Sequence, residues 1–297
     1  MSVRAPVTSG SIYRSPGRRR AVHDWCRGAW DTWPELRVQP VRRTGLGATA
    51  TCSAPGGPGT PVVLLPGTNF NAATALPLAR ELAADRTVHL VDLPGQPGLS
   101  AGRRPTGDRT AAYGAWLDEL LPQLTDRPVL VLGHSLGAAI ALAATPGPLV
   151  AGMLLVNPAG LARARISAAL LAVTAPWLLA PGERTAARLL GFMSGPGHHP
   201  GPTDSRARWL ALVGAACRTA LAPGPLPTDA LRRWAGTPVG VVTGTHDRFF
   251  PPERLARGAA ALGTEVTALD GAGHLAPDER PEEVRALLTA LAARAAP

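Results

Sequence analysis

The chain has 297 residues, of which 45% are hydrophobic and 17% charged, with 33 glycines and 31 prolines marking many turns and a formal net charge of +9. Such a length and apolar content suit one large α/β domain, or a core domain with an insertion, and exclude a fibrous or wholly disordered chain. The charge invites nucleic acid, but all 30 basic residues are arginine and acids are mixed among them outside the N-terminal tail, so codon bias explains them and no nucleic-acid partner is expected.

From Met1 to Arg20 there are five arginines and no acid, set among Ser, Pro and Gly, so residues 1–20 are predicted to form a disordered basic tail. His23-Asp24-Trp25 follows where a secretory signal would carry an apolar run, so no signal is expected. A helix is predicted around Ala21–Trp33, ending at Pro34. Leu36–Val41 and Thr49–Ser53 then pattern as a strand pair joined through Gly45 and Gly47, and Pro61–Leu65 as a buried strand closing on Pro66-Gly67. Thr74–Ala84 has helical spacing, Val88–Val91 is a strand broken by Asp92-Leu93-Pro94-Gly95, and Tyr113–Leu124 is a helix with Trp116, Leu117, Leu120 and Leu121 on one face. This alternation, with continuously apolar strands, predicts a mostly parallel sheet covered by helices on both faces.

The apolar run Val129–Leu132 leads directly into Gly133-His134-Ser135-Leu136-Gly137 and then into the helix-forming stretch Ala138–Ala144. A serine on so sharp a strand-to-helix turn presents its Oγ free of the backbone, and only small neighbours allow the turn. The N–H groups that follow, together with the positive end of the helix dipole, suit a developing oxyanion.

After strand Gly152–Val156 the rhythm stops at Asn157-Pro158. Residues 160–235 carry Ala-, Leu- and Trp-rich helical pieces separated by Pro/Gly clusters, so a helical cap is predicted there, just past the sixth strand, with 21–159 and 236–297 forming the core. The longest apolar stretch, Ala168–Ala180, is interrupted by Thr174 and Pro176 and falls short of the roughly 20 residues a membrane span needs. The α/β pattern resumes with Val239–Thr243, a helix near Pro252–Leu262, strand Glu265–Leu269 and a final helix Pro281–Ala293.

A serine needs a base, and the base needs a group to fix its tautomer. Strand Val239–Thr243 ends in Gly244-Thr245-His246-Asp247, and Glu265–Leu269 runs into Asp270-Gly271-Ala272-Gly273-His274. Both follow the carboxyl ends of strands, where sites of open α/β sheets collect. Ser135, Asp247 and His274 are therefore the candidate nucleophile, orienting acid and base. Asp270 reads as a strand terminator, Asp92 as a turn residue, and His246 as pointing away from its neighbour Asp247. His198-His199 has only Asp204 nearby, without metal-ligand spacing. Cys26, Cys52 and Cys217 are odd in number and widely spaced, which suggests neither disulfides nor zinc and favours a reduced, cytoplasmic setting.

Over about residues 35–295 the chain resembles the α/β-hydrolase superfamily, through Leu65-Pro66-Gly67, Asp92-Leu93-Pro94-Gly95, Gly133–Gly137, Gly244–Asp247 and Gly271–His274. Within it the chain is most similar to cap-bearing bacterial carboxylesterases, which implies the α/β-hydrolase fold and no cofactor or metal. The resemblance further implies that the backbone N–H groups of Thr68 and Leu136 form the oxyanion hole. The family usually has His-Gly where this chain has Pro66-Gly67; since both expected donors are backbone groups, the exchange does not remove them. Asn157 stands where some relatives carry their acid, a role closed to an amide. Asn69, Phe70, Trp177 and Phe249 are candidate substrate contacts.

The expected activity is cleavage of an ester or thioester of a small to medium apolar compound, by a monomer or dimer whose partner is that small molecule. Acyl transfer, perhydrolysis or cyclisation on the same triad, and a ligand-binding homologue without turnover, are the alternatives.

Overall fold

The computed structural model describes residues 8–220 and 223–295, and the first of these are ordered where composition predicts a disordered tail. β1 (Thr8–Ser11) is a short strand, and α1 (Pro16–Trp30) starts well before the expected Ala21. Ser15 caps that helix by accepting from the Arg18 N–H at 3.2 Å, and Pro16 follows with its φ already fixed for a first turn. Ile12 and Tyr13 are buried, and the Tyr13 hydroxyl donates to the Gly98 carbonyl at 2.8 Å. These two side chains anchor a segment whose arginines, Arg18, Arg19 and Arg20, stay on the exposed surface. The expectation for residues 8–20 is thus corrected; residues 1–7 lie outside the described residues.

β2 (Arg37–Val38) is followed by a small hairpin of β3 (Arg42–Thr44) and β4 (Gly47–Thr49), then by the long β5 (Thr51–Leu65). β2 pairs antiparallel with the start of β5, as expected for Leu36–Val41 and Thr49–Ser53. After α2 (Leu76–Ala83), β6 (Arg86–Val91) pairs with both halves of β5. Its register descends from Thr51↔Val91 to Ala54↔Val88, then rises from Val62↔Val88 to Leu64↔Leu90, so β6 lies between the two halves. The separate strands expected at Thr49–Ser53 and Pro61–Leu65 are these halves, bent at the Pro-Gly run 55–59.

β7 (Arg103–Pro105) pairs antiparallel with β1. The chain continues through α3 (Arg109–Leu124), β8 (Val129–His134), α4 (Leu136–Ala143) and β9 (Val150–Val156). A helical insertion comes next: α5 (Ala168–Leu179), α6 (Glu183–Met193), α7 (Ser205–Ala216) and α8 (Thr228–Arg232). It follows the sixth strand of the large sheet when the halves of β5 are counted separately. β10 (Val239–Gly244), α9 (Pro252–Ala261), β11 (Val266–Leu269), α10 (Ala276–Glu279) and α11 (Pro281–Ala295) complete the fold.

The seven-stranded sheet runs β11, β10, β9, β8, β5, β2, with β6 against β5. Every pairing from the second half of β5 to β11 is parallel. Successive strand residues face opposite sides. Leu130 and Leu132 of β8 therefore join a core with Val22 of α1, Leu82 of α2 and Leu288 of α11, whereas Val129 and Val131 join one with Leu117 of α3, Ile140 of α4 and Leu255 of α9. The fold is an α/β sandwich with helices on both faces, and it brings the ends of β5, β8, β9, β10 and β11 together at one edge.

Candidate active site

Ser135 joins β8 to α4 with φ 50° and ψ −108°, a left-handed strain that a non-glycine residue adopts only where its surroundings enforce it. The enforcement is visible on both sides. The Ser135 N–H donates to the Val156 carbonyl at 3.0 Å, and its carbonyl accepts from the Ala138 and Ala159 N–H groups at 3.1 Å. A Cβ on Gly137 would sit 2.1 Å from the Leu65 carbonyl oxygen, and one on Gly133 2.6 Å from the Ala138 nitrogen, so the turn closes only with glycine at both places.

The Ser135 Oγ lies 3.1 Å from His274 Nε2, and His274 Nδ1 lies 2.9 Å from Asp247 Oδ2. Since Asp247 holds Nδ1–H, Nε2 is the free acceptor toward the hydroxyl. All three side chains are buried. Burial pushes the Asp247 carboxyl up, but the His274 charge, the His274 hydrogen bond and the donors from Phe250 and Asn157 outweigh it and hold the carboxyl below its usual range. Oδ1 accepts from the Phe249 and Phe250 N–H groups at 2.8 and 3.0 Å, and Oδ2 accepts from Asn157 Nδ2 at 2.8 Å. Asn157, left-handed at φ 48° and fully buried, also donates to the Gly273 carbonyl at 3.0 Å. The amide that cannot be an acid therefore ties the acid loop to the base loop.

The rival residues stand apart from this line of bonds. Asp270 is exposed and meets Thr245 Oγ1, and His246 is exposed beside the same hydroxyl. Asp92 is buried and organises loops: its carboxylate accepts from the Ala72 N–H at 2.8 Å and the Leu99 N–H at 2.6 Å. Among the described residues no three His, Cys, Asp or Glu side chains are grouped to hold a metal ion, His198 and His199 included.

On the other side of Ser135 the loop after β5 passes close, with the place of a Gly67 Cβ 3.3 Å from the Ser135 Cβ. Thr68 follows it, and neither the Thr68 nor the Leu136 N–H has a protein acceptor among the described residues. Asn69 is left-handed at φ 67°; its N–H donates to Gln96 Oε1 at 3.1 Å and its carbonyl accepts from Trp209 Nε1 at 2.7 Å. Gln96 and Trp209 thus fix the loop's turn. Neither Gln96, directly after the Asp92–Gly95 turn, nor Trp209 belongs to a motif that marks it in the sequence.

A cavity of about 190 Å³ opens on Ser135 and His274, lined by Thr68, Asn69, Phe70, Phe249 and, from the insertion, Trp177 and Met193. All four expected contact residues reach it, and its walls are mostly apolar. Other cavities stand elsewhere, including one of about 210 Å³ beside Arg109 and Tyr113 behind α4.

A strained serine at a strand-to-helix turn, bonded through a histidine to an acid from later strand ends, defines the α/β-hydrolase arrangement. A model of the alpha/beta hydrolase family matches residues 62–287, and the chain belongs to that family. No curated protein sequence matches the chain. Among solved structures it is similar to carboxylesterase CesB (YbfK) from Bacillus subtilis, at 18% identity and TM-score 0.73 over 93% of this chain and 98% of that one. It is similar to naproxen esterase (carboxylesterase NP) from Bacillus subtilis, at 17% identity and TM-score 0.73 over 92% and 96%. Esterase RhEst1 from Rhodococcus sp. ECU1013 matches at 20% identity and TM-score 0.68 over 88% and 100%. Thus the fold is that of bacterial esterases, as the motifs imply.

Proposed function

We propose that the chain is a serine hydrolase that cleaves an ester or thioester of a small to medium apolar compound through an acyl-enzyme on Ser135. The observation that carries this reading is the line of bonds Ser135 Oγ, His274, Asp247. Similar folds in proteins described as carboxylesterases support the ester as substrate. The Oγ attacks the carbonyl carbon while its proton passes to His274 Nε2, and the resulting imidazolium is held by Asp247 through Nδ1–H. The Thr68 and Leu136 N–H groups take the oxyanion, each worth about 10²–10³ in rate. Collapse of the tetrahedral intermediate expels the alcohol or thiol, which takes the proton from His274. Water, deprotonated by the same nitrogen, then attacks the acyl carbonyl; the acid leaves and Ser135 regains its proton.

The cavity favours uncharged, compact substrates, with Phe70, Trp177 and Phe249 packing the apolar part and Asn69 at its polar end. Incubation with a fluorophosphonate probe and with short nitrophenyl esters tests the reading. Wild type should be labelled and turn over, and Ser135→Ala should do neither. An unlabelled, inactive wild type, or full turnover by Ser135→Ala, overturns it.

A further inference from the structure

Helix α5 turns an apolar face to solvent. Its eight exposed residues are all alanine, leucine or proline. Leu171 is 58% exposed and Leu179 86%, and Ile166, just before the helix, is 61% exposed. A surface helix ordinarily carries polar side chains on its outer side, and clustered exposed aliphatics mark an interaction surface. The helix's other side is engaged, since Leu170, Thr174 and Trp177 wall the cavity at Ser135.

The charges around the helix indicate what covers it. Arg163, Arg165, Arg184, Arg188 and, across the cleft from Ala169, Arg248 are exposed around it, against two acids, Glu253 and Glu183, the latter facing Arg208 at 3.9 Å. A second copy of the chain, packed symmetrically on this face, would bring these arginines and their symmetry copies into one interface with few acids to offset them. An anionic lipid surface satisfies both features at once: acyl chains accept the leucines and headgroup phosphates accept the arginines. Among the described residues no helix is long and apolar enough to cross a membrane, so the contact lies on the bilayer.

We propose that α5 docks this protein on an anionic lipid bilayer, with Ile166, Leu171 and Leu179 entering the headgroup boundary and the flanking arginines meeting lipid phosphates. The docked helix is one wall of the cavity, so an ester dissolved in the bilayer reaches Ser135 along it. That consequence rests on the proposed hydrolysis; the docking does not.

The test is flotation of the full chain with vesicles of phosphatidylcholine, with and without phosphatidylglycerol. Ser135→Ala serves as the binding form so that no turnover intervenes. Binding to the phosphatidylglycerol vesicles is expected, weakening about tenfold on raising salt from low to molar concentration as the arginines are screened. Adding Leu171→Gln and Leu179→Gln should lower the affinity by about tenfold or more. In the Ser135 background the same pair should leave the thermal midpoint and the hydrolysis of a short soluble ester unchanged. Absence of binding, or binding indifferent to the glutamine pair, overturns the proposal. So does a dimer in sedimentation that the pair converts to monomer, which would assign the face to a second copy. Vesicle binding by a protein that hydrolyses no ester would count against the hydrolase reading alone.

Discussion

The backbone N–H of His274 donates to the carbonyl of Met193, the last residue of α6, at 2.6 Å. The proposed base is therefore held by the helical insertion as well as by its own loop. Glu279 strengthens the link, because its Oε2 accepts from the Gly195 N–H at 2.8 Å and from the Gly273 N–H at 3.1 Å, one on each side of the junction. Across the cavity, Trp209 of α7 holds the Asn69 carbonyl. The insertion thus grips both the histidine loop and the loop that carries Thr68, and rate should depend on insertion residues that never touch substrate.

Trp209→Phe tests that dependence. The ring still packs near Trp25, whose centroid lies 4.5 Å from that of Trp209, but the donor to Asn69 is gone and the Thr68 N–H is less firmly aimed. Loss of about 1.4 kcal/mol of transition-state stabilisation would lower kcat about tenfold, with KM little changed. Steady-state kinetics on a nitrophenyl ester, alongside a thermal melt, checks this. An unchanged kcat in a folded variant would remove Trp209 from the argument.

Asn157 offers the corresponding test on the acid side. Asn157→Gly tolerates the left-handed φ of 48° but removes the amide that bonds Asp247, Gly273 and Thr243. Hydrogen bonds to charged groups contribute about 1.5–3 kcal/mol, so urea unfolding should show a loss of that order. kcat should fall about 10- to 100-fold as Asp247 loses its fixed position. A variant that is destabilised but keeps full kcat would leave Asn157 with a purely structural role.

What the sequence disclosed and what it concealed divide along physical lines. Ser135, Asp247 and His274 each follow an apolar strand and sit among glycines, so local pattern marks them. Trp209 and Asn69 are 140 residues apart, and no local pattern announces such a bond. The amide of Asn157 was visible, yet its use as a double donor depends on two loops that meet only in the fold. At the N-terminus, Ser, Pro and Arg composition concealed β1 and the first turn of α1, because Ile12 and Tyr13 anchor the segment through distant partners such as Gly98. Pro and Gly at 55–59 made the one bent strand β5 look like two.

Stability should vary with pH through Asp92. Burial raises its carboxyl from 3.8 to about 6, against the pull of the Leu99 and Ala72 N–H groups. The folded state binds this proton more tightly than the unfolded chain, so the contribution is fully present below about pH 4 and is lost as pH rises through about 6. Asp278, raised to about 6 by burial despite Arg206, acts in the same window and sense. Asp247, held below its usual range, acts oppositely: its contribution is present above the unfolded value and lost as pH falls through the folded one. His134, His89 and His23, pushed down by burial, act against the two carboxyls in this window, so the readout is a difference: in urea unfolding between pH 4 and 7 the stability of wild type relative to Asp92→Asn should fall as pH rises. Asn offers one acceptor oxygen for two N–H groups, so the variant is less stable throughout; the slope of the difference is the readout, and a difference that does not change with pH would refute the assignment.

His134, beside the proposed nucleophile Ser135, should matter as a donor and not as a titrating group. Its Nε2 lies 2.9 Å from the His274 carbonyl, and since a carbonyl only accepts, Nε2 carries the proton. Burial, followed by repulsion from His274, pushes its pKa down to about 3, so the ring is neutral throughout the working range. His134→Leu leaves that carbonyl without this donor and should lower kcat about tenfold, whereas His134→Gln, whose amide donates to the same oxygen, should recover most of the loss. Because His134 takes up no proton above about pH 3, the acid limb of the kcat/KM profile should be the same in wild type and His134→Gln. A displaced acid limb in the glutamine variant would mean that His134 titrates during catalysis, and equal losses in both variants would mean that ring packing, at 5.3 Å between the centroids of His134 and His274, matters more than the bond.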